Sequence, residues 1–311
     1  MAVRRLLFLL PLMFLVTLIV FGLLLIVPGD PVSVVLGDRA TPELIAATRA
    51  RLGLDDPVPL RYLRWLGNAL RGDLGTSLFN SYPITEAILE RLPITISLVG
   101  MALLLAVVIG IPLGVIAGAR AGSWIDRVLT IGTSAGVAMP NFWLGLVLVL
   151  VFGLLLRWFP ATGYTSITED AGGWLRHLIL PAITLAAASS AELVRQTRAA
   201  MIDVLEQDYI RTARGKGLGG YDVLIRHALR NAMVPIVTVA GLTVNRTFGL
   251  SVIVEQIFDM KGVGSLAVRA VFDRDIPMIQ GIVLFTTTVV LLTNLIVDLS
   301  YAYFDPRTRA A

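Results

Sequence analysis

The sequence contains no cysteine and only two histidines, His177 and His227. The first absence removes disulfides, thiolate nucleophiles and Cys-ligated zinc or iron–sulfur centres together. The second leaves the imidazoles 50 positions apart, with no local pair for a metal or a proton relay. Charge is scarce as well. Only 15% of the 311 residues are Asp, Glu, Lys or Arg, against about 25% in ordinary soluble domains. No H-E-x-x-H is present, and no G-x-S-x-G stands in a strand-to-helix context. Gly215-Lys216 has glycines around it, but G-x-x-x-x-G-K-[ST] is missing, which excludes a phosphate loop. No basic run interleaved with aromatics suggests nucleic acid. An enzyme is therefore not expected, and no cofactor or metal is expected in this chain.

What the chain has is length in apolar runs: 56% of it is hydrophobic. Leu6–Val27 is 22 uncharged residues behind Arg4 and Arg5. It is longer than a signal-peptide core and runs into Pro28-Gly29-Asp30-Pro31 instead of a small-residue cleavage site, so it reads as a first span. Five more spans follow at Ile94–Ala119, Leu129–Leu156, Leu178–Ala199, Ala232–Gln256 and Ile279–Tyr301. Met139-Pro140-Asn141 interrupts the third, where proline implies a kink or a break. The expectation is an all-α polytopic membrane protein of six spans, residues 1–311 forming one transmembrane domain.

Basic residues set the orientation. With the N-terminus inside, the inner segments hold 13 basic and seven acidic residues, and the remainder holds 13 basic and 15 acidic. The positive-inside bias places both termini in the cytoplasm. The outer loop, residues 28–93, reads as short helices. Thr41-Pro42-Glu43 has a capping threonine and a proline at the first helical position, and Gly53 would stop that helix. Leu60, Leu63, Leu66 and Leu70 share a helical face, and a third piece runs from Pro83-Ile84 to Pro93. This loop is either a cap on the membrane surface or a platform for an external partner. Within the spans, Gly110, Gly114 and Gly118, and again Gly132 and Gly136, recur every four residues, a spacing that lets helices approach closely in lipid.

The inner loop, residues 200–231, is the most informative segment. It reads Asp208-Tyr-Ile-Arg-Thr-Ala-Arg-Gly-Lys-Gly-Leu-Gly-Gly220, then Arg226-His-Ala-Leu-Arg-Asn-Ala232 and Pro235. Small side chains with flanking arginines suit a groove on another protein whose rim carries carboxylates. A solvated positive-inside anchor accounts for the same composition.

Here the chain resembles the inner-membrane permease subunits of ATP-binding-cassette importers, in the dipeptide/oligopeptide/nickel branch. Arg211-Thr212-Ala213 stands where that family's Glu-Ala-Ala coupling signature lies, and Gly217 matches its fixed glycine. The resemblance extends over nearly the whole chain, through Pro28-Gly-Asp-Pro31, Arg71-Gly-Asp-Leu-Gly75, Pro140-Asn-Phe-Trp-Leu-Gly145, Asp275-Ile-Pro277 and Asn294-Leu-Ile-Val-Asp298. It implies a type I importer permease that imports di- or oligopeptides by alternating access. It also implies a second homologous permease, two ATPase subunits that bind ATP and magnesium, and an extracytoplasmic solute-binding protein, all at the bacterial inner membrane. Arg211, Thr212, Ala213, Arg214, Lys216, Gly217 and Leu218 would dock on the ATPase. Nickel chelates and glutathione remain alternative cargoes.

Polar residues in the spans mark a candidate path. An ionisable group at bilayer centre costs about 2.5–3.5 kcal/mol, so it faces a cavity or a partner. Arg246 lies about 21 Å from the inner end of its span and Asp298 close to the cytoplasm, too different in depth to pair. Glu192 and Arg195 are spaced to pair on one helix, and with Asn294 and Asp298 they suggest an inner polar belt. Asn245 and Arg246 replace residues expected to be small or apolar. Arg246 either lines the path, meeting a carboxylate of the cargo or of the companion permease, or snorkels to the outer interface. An ion-coupled carrier is the rival reading, which midplane carboxylates and an internal repeat would favour.

Overall fold

The computed structural model describes residues 11–22, 41–51 and 55–304, without the side chains of residues 48, 51 and 297–304. Among the described residues every regular element is a helix except one isolated bridge, Thr76 with Pro83. The chain forms two compact units, residues 1–92 with 266–292 and residues 93–265 with 293–311.

The first unit holds α1 (Pro11–Gly22), α2 (Pro42–Arg51), α3 (Val58–Leu70) and parts of three further helices. At the start of α2, the Thr41 hydroxyl accepts the Leu44 N–H at 3.3 Å, with Pro42 at the first position. Gly53, the expected stop, lies outside the described residues. Helix α3 is anchored by Tyr62, which is buried, shares a 2.8 Å hydrogen bond with Thr17, and packs edge-on against Phe14 and Phe21. Leu60, Leu63 and Leu70 point outward. The leucine stripe is therefore the exposed face, an arrangement that a hydrocarbon surrounding permits because lipid is as apolar as leucine.

Helix α4 (Ile84–Ala119) corrects one expectation. No short helix ends at Pro93; Pro93 and Pro112 both lie inside 36 continuous helical residues. Proline removes one ladder hydrogen bond, but neighbouring groups in a membrane bundle can satisfy the freed carbonyl. The first turn of α4 is locked by Ile84, fully buried beneath Gly281, where an added Cβ would fall 2.5 Å from the isoleucine methyl. Gly281 belongs to α11 (Ile276–Phe304), and its neighbour Gln280 donates to the Val20 and Phe21 carbonyls at the end of α1.

The second unit takes the rest of α4 together with α5 (Trp124–Ala138), α6 (Asn141–Leu155), α7 (Ala171–Leu205), α8 (Asp208–Gly215) and α9 (Gly220–Ile257). The break at Met139-Pro140 is where the sequence puts it, and α5 and α6 meet there at 100°. Helix α7 is the hub: 67% of its apolar window is buried, against 28% for α9. The glycine ridge of α4 explains the close packing. Added Cβ atoms at Gly110, Gly114 and Gly118 would meet Cβ of Leu193, Thr197 and Met201 on α7 at 2.7, 2.5 and 2.6 Å. Both series step by four, so one ridge lies along the other. Gly136 meets Ala191 of α7 at 3.4 Å, whereas Gly132 faces open space. Between Ile257 and Phe272 the chain turns into α10 (Val263–Phe272), which starts in the second unit and finishes in the first.

Among the described residues, α4, α7, α9 and α11 are each long and apolar enough to cross a membrane, and the bent pair α5–α6 makes a fifth candidate. Of the expected first span, α1 is the described part. At 35 residues α7 is about 52 Å long, so its ends must project beyond a hydrocarbon core of about 30 Å.

Candidate coupling surface and membrane path

Helix α8 is amphipathic by construction. Ile210 and Ala213, three apart and on one stripe, are buried among Val115, Met201, Ala228, Ala232 and Ile236. The rest of the loop faces outward. Arg211, Thr212, Arg214, Lys216, Gly217 and Leu218 are all exposed. Six of the seven residues expected to dock thus share an open surface, and Ala213 instead holds that surface to the protein's own core. The helix stops for a physical reason. Gly217 takes φ +81°, its N–H reaches the Arg214 carbonyl at 3.0 Å and the Leu218 N–H reaches Ala213 at 3.3 Å, a Schellman stop that favours glycine. Arg211 is engaged by Asp208 at 3.3 Å, and Arg226 by Asp222 at 3.2 Å. Arg214 and Lys216 have no ion pair among the described residues, so the α8 surface presents free positive charge.

The polar residues of the spans sort differently from the expected belt. Glu192 pairs with Arg195 and accepts from Gln196, both on its own helix. Asn294 bonds instead to Asn245, whose amide donates to the Asn294 carbonyl. The remaining oxygen of Asn245 is covered and has no hydrogen-bond partner among the described residues. Ser189 and Thr247 tie α7 to α9 at 3.3 Å. Arg246 is exposed and unpaired among the described residues. The side chain of Asp298 lies outside those described.

Three arrangements were not read from the sequence. Asp126, 4% exposed, accepts from Nε and Nη2 of Arg198 at 2.5 and 2.8 Å and from the Gly122 N–H at 2.9 Å. The only local signal is Ser123-Trp-Ile-Asp126, in which the serine caps α5 by accepting the Asp126 N–H. Glu255 is fully buried. Its carboxylate accepts from Thr95 of α4 at 2.7 Å and from the Ser265 N–H in the first turn of α10 at 2.8 Å. Gly264 leaves room for it, since a Cβ there would fall 2.9 Å from Oε2. Finally, the first unit has a cleft of about 360 Å³ lined by Tyr82, Glu90, Arg91, Arg269 and Asp273, with buried Asp275 at its floor. Gly132-Thr-Ser-Ala-Gly136 spells a serine-hydrolase pentapeptide, but it lies inside uninterrupted α5, where the Ser134 hydroxyl donates to the Thr130 carbonyl at 2.9 Å.

Several apolar helices, a short basic helix projected on a buried anchor and unpaired polarity inside a span define a polytopic permease component. The comparisons agree. The family model for the binding-protein-dependent transport system inner membrane component matches residues 110–310, and its N-terminal companion matches residues 1–99. The chain belongs to that family: it is a non-catalytic permease subunit of an ATP-binding-cassette importer, a multi-pass inner-membrane protein that works with ATPase and substrate-binding partners. A protein of Brucella abortus (strain 2308) is 43% identical over 299 residues, covering 96% of this chain and 95% of its own. The oligopeptide transport system permease protein AppB of Bacillus subtilis (strain 168) is 41% identical, with 98% of both chains covered. The di/tripeptide transport system permease protein DppB of Pseudomonas aeruginosa (strain UCBPP-PA14) is 39% identical, with coverages of 98% and 97%. Among solved structures, the inward-facing MetNI methionine ABC transporter aligns with TM-score 0.57 at 15% identity, covering 71% of this chain and 97% of that one, a likeness of fold alone.

Proposed function

We propose that this permease imports di- or oligopeptides, with both termini in the cytoplasm and a second homologous permease completing the path. Near-full-length relatives named for peptide transport support the cargo. The α8 surface carries the mechanism: its exposed Arg211, Thr212, Arg214, Lys216, Gly217 and Leu218 dock on the ATPase. ATP and magnesium are bound by that partner, and this chain supplies a handle. Because Ile210 and Ala213 root α8 against α4, α7 and α9, a push on the handle is delivered to the spans directly. Two bundle states then exchange, each partner favouring the state it binds more tightly. Asn245, Arg246 and Asn294 line the path, with Glu192 and Asp298 nearer its cytoplasmic end. The charged cleft of the first unit is read as the surface to which the binding protein delivers cargo.

A double variant, Lys216→Glu with Leu218→Asp, tests the handle. Folded permease that no longer co-purifies with its ATPase and no longer supports uptake is the expected result. Retention of both would remove the docking role. In proteoliposomes, peptide uptake should require ATP, stop with vanadate and ignore ionophores, the reverse of an ion-coupled carrier.

A further inference from the structure

We infer that Arg246, flanked by the Asn245–Asn294 pair, is a carboxylate-reading station that takes the terminal carboxylate of the transported peptide. The inference rests on the peptide reading above and adds the group by which the path recognises its cargo.

The position of the side chain carries the argument. Helix α9 buries Thr243, Thr247, Ser251 and Val254 on one stripe, and the Ser189–Thr247 contact ties that stripe to α7. Leu242, Arg246, Gly249 and Ile253 form a second stripe, open along its length. At 100° per residue this open face lies between the α7 side of the helix and the side where Asn245 meets Asn294 of α11. Among these four residues Arg246 is the one charged side chain. Arg246 lies 11 residues before Ile257, about 16 Å or three turns below that end of the helix.

A guanidinium facing hydrocarbon alone is costly and calls for an anionic partner. Among the described residues no carboxylate repays it. Gly249, one turn along the same face, has nothing within 4 Å of where its Cβ would stand, so the space beside the guanidinium is open. The planar fork of arginine matches a carboxylate through two parallel hydrogen bonds. Every free peptide carries one such carboxylate at its end, whatever its side chains. A reader of that group would therefore accept many sequences. One cation also keeps the hold weak enough for release, as conduction requires.

The test uses the complete importer in proteoliposomes: both permeases, the ATPases and the binding protein. The probes are a labelled peptide and its C-terminal carboxamide, chosen as a pair that the binding protein holds equally in titration. Wild type should prefer the acid. Arg246→Gln should reduce acid uptake about tenfold, the scale of one charge-assisted hydrogen bond, and leave carboxamide uptake within about twofold. Arg246→Lys should recover part of the preference, because the charge returns without the fork. Subunit co-purification checks assembly for each variant. Equal losses for acid and carboxamide, or loss of the companion permease, would assign Arg246 to a protein partner and overturn the inference. Unchanged uptake of both would assign it to lipid and overturn it equally. If the wild-type importer moves neither peptide while another cargo of the binding protein is taken up, the peptide reading itself fails.

Discussion

Two sets of glycines in this chain do opposite work. Gly110, Gly114 and Gly118 are helical, and the structure needs them because they have no Cβ: α7 occupies the space where one would stand. Gly217 and Gly219 lie beside the projected α8 surface with nothing within 4 Å of an added Cβ. There the requirement is conformational, and it applies to one of the two, since Gly217 has φ +81° whereas Gly219 has φ −62°. The ridge spends its glycines on proximity and the loop spends one on a turn. Tight packing belongs to the helix ridge, and open space to the exposed basic loop.

Substitutions can break this contrast in graded steps. Gly114→Leu should have the largest effect. Its Cβ would fall 2.5 Å from Cβ of Thr197 and 2.8 Å from the Val194 carbonyl, so neither side can yield by turning a flexible tip. A cost at or above the top of the ~1–3 kcal/mol range for overpacking follows. Folded permease should fall sharply in detergent size-exclusion profiles, and a normal profile would refute the ridge.

Arg198→Met tests what holds the end of that ridge, since the Arg198 carbonyl lies 3.0 Å from where a Gly118 Cβ would stand. The variant leaves Asp126 buried without its cation. Breaking a buried pair costs ~3–5 kcal/mol. The lower end applies here, because Arg198 keeps 33% of its side chain exposed. Thermal unfolding in detergent should show this loss, and adding Asp126→Leu should recover most of it by removing the stranded charge.

Gly217→Ala probes the loop. Placing a Cβ in the left-handed region costs ~1–2 kcal/mol per residue, enough to unwind the Schellman stop and loosen the proposed docking surface. ATPase co-purification should weaken while the thermal midpoint barely moves. Gly219→Ala should be the quietest variant, within about 0.5 kcal/mol of wild type. An equal loss from both alanines would show that the loop, too, depends on close contact.

How much was legible in the sequence follows the range of the forces involved. The Pro140 break, the Thr41 cap and the Glu192–Arg195 pair were readable because each is decided within four residues along the chain. The exposed basic loop was readable in outline, while the structure turns Ala213 inward. Its inward face follows from its step of three from Ile210, and composition alone does not orient that stripe. Pro93 misled because proline is a breaker in water, where the unsatisfied carbonyl costs little outside a helix. The Asp126–Arg198 pair spans 72 positions and the Thr95–Glu255 contact spans 160. Sequence spacing carries no signal for either, because only the packed bundle brings those groups together.

The chain by itself determined that it lives in a bilayer, builds its spans from helices, breaks one of them at Pro140 and holds no catalytic inventory. Those are statements about transfer free energy, local backbone geometry and residue type, and each can be summed along a linear string. The tertiary structure decided which glycines touch, which face of α3 looks outward, and that Asn245 joins Asn294 while Arg246 is left unpaired among the described residues. These outcomes depend on which distant surface arrives to exclude lipid or water, and that is a property of the packed arrangement of helices.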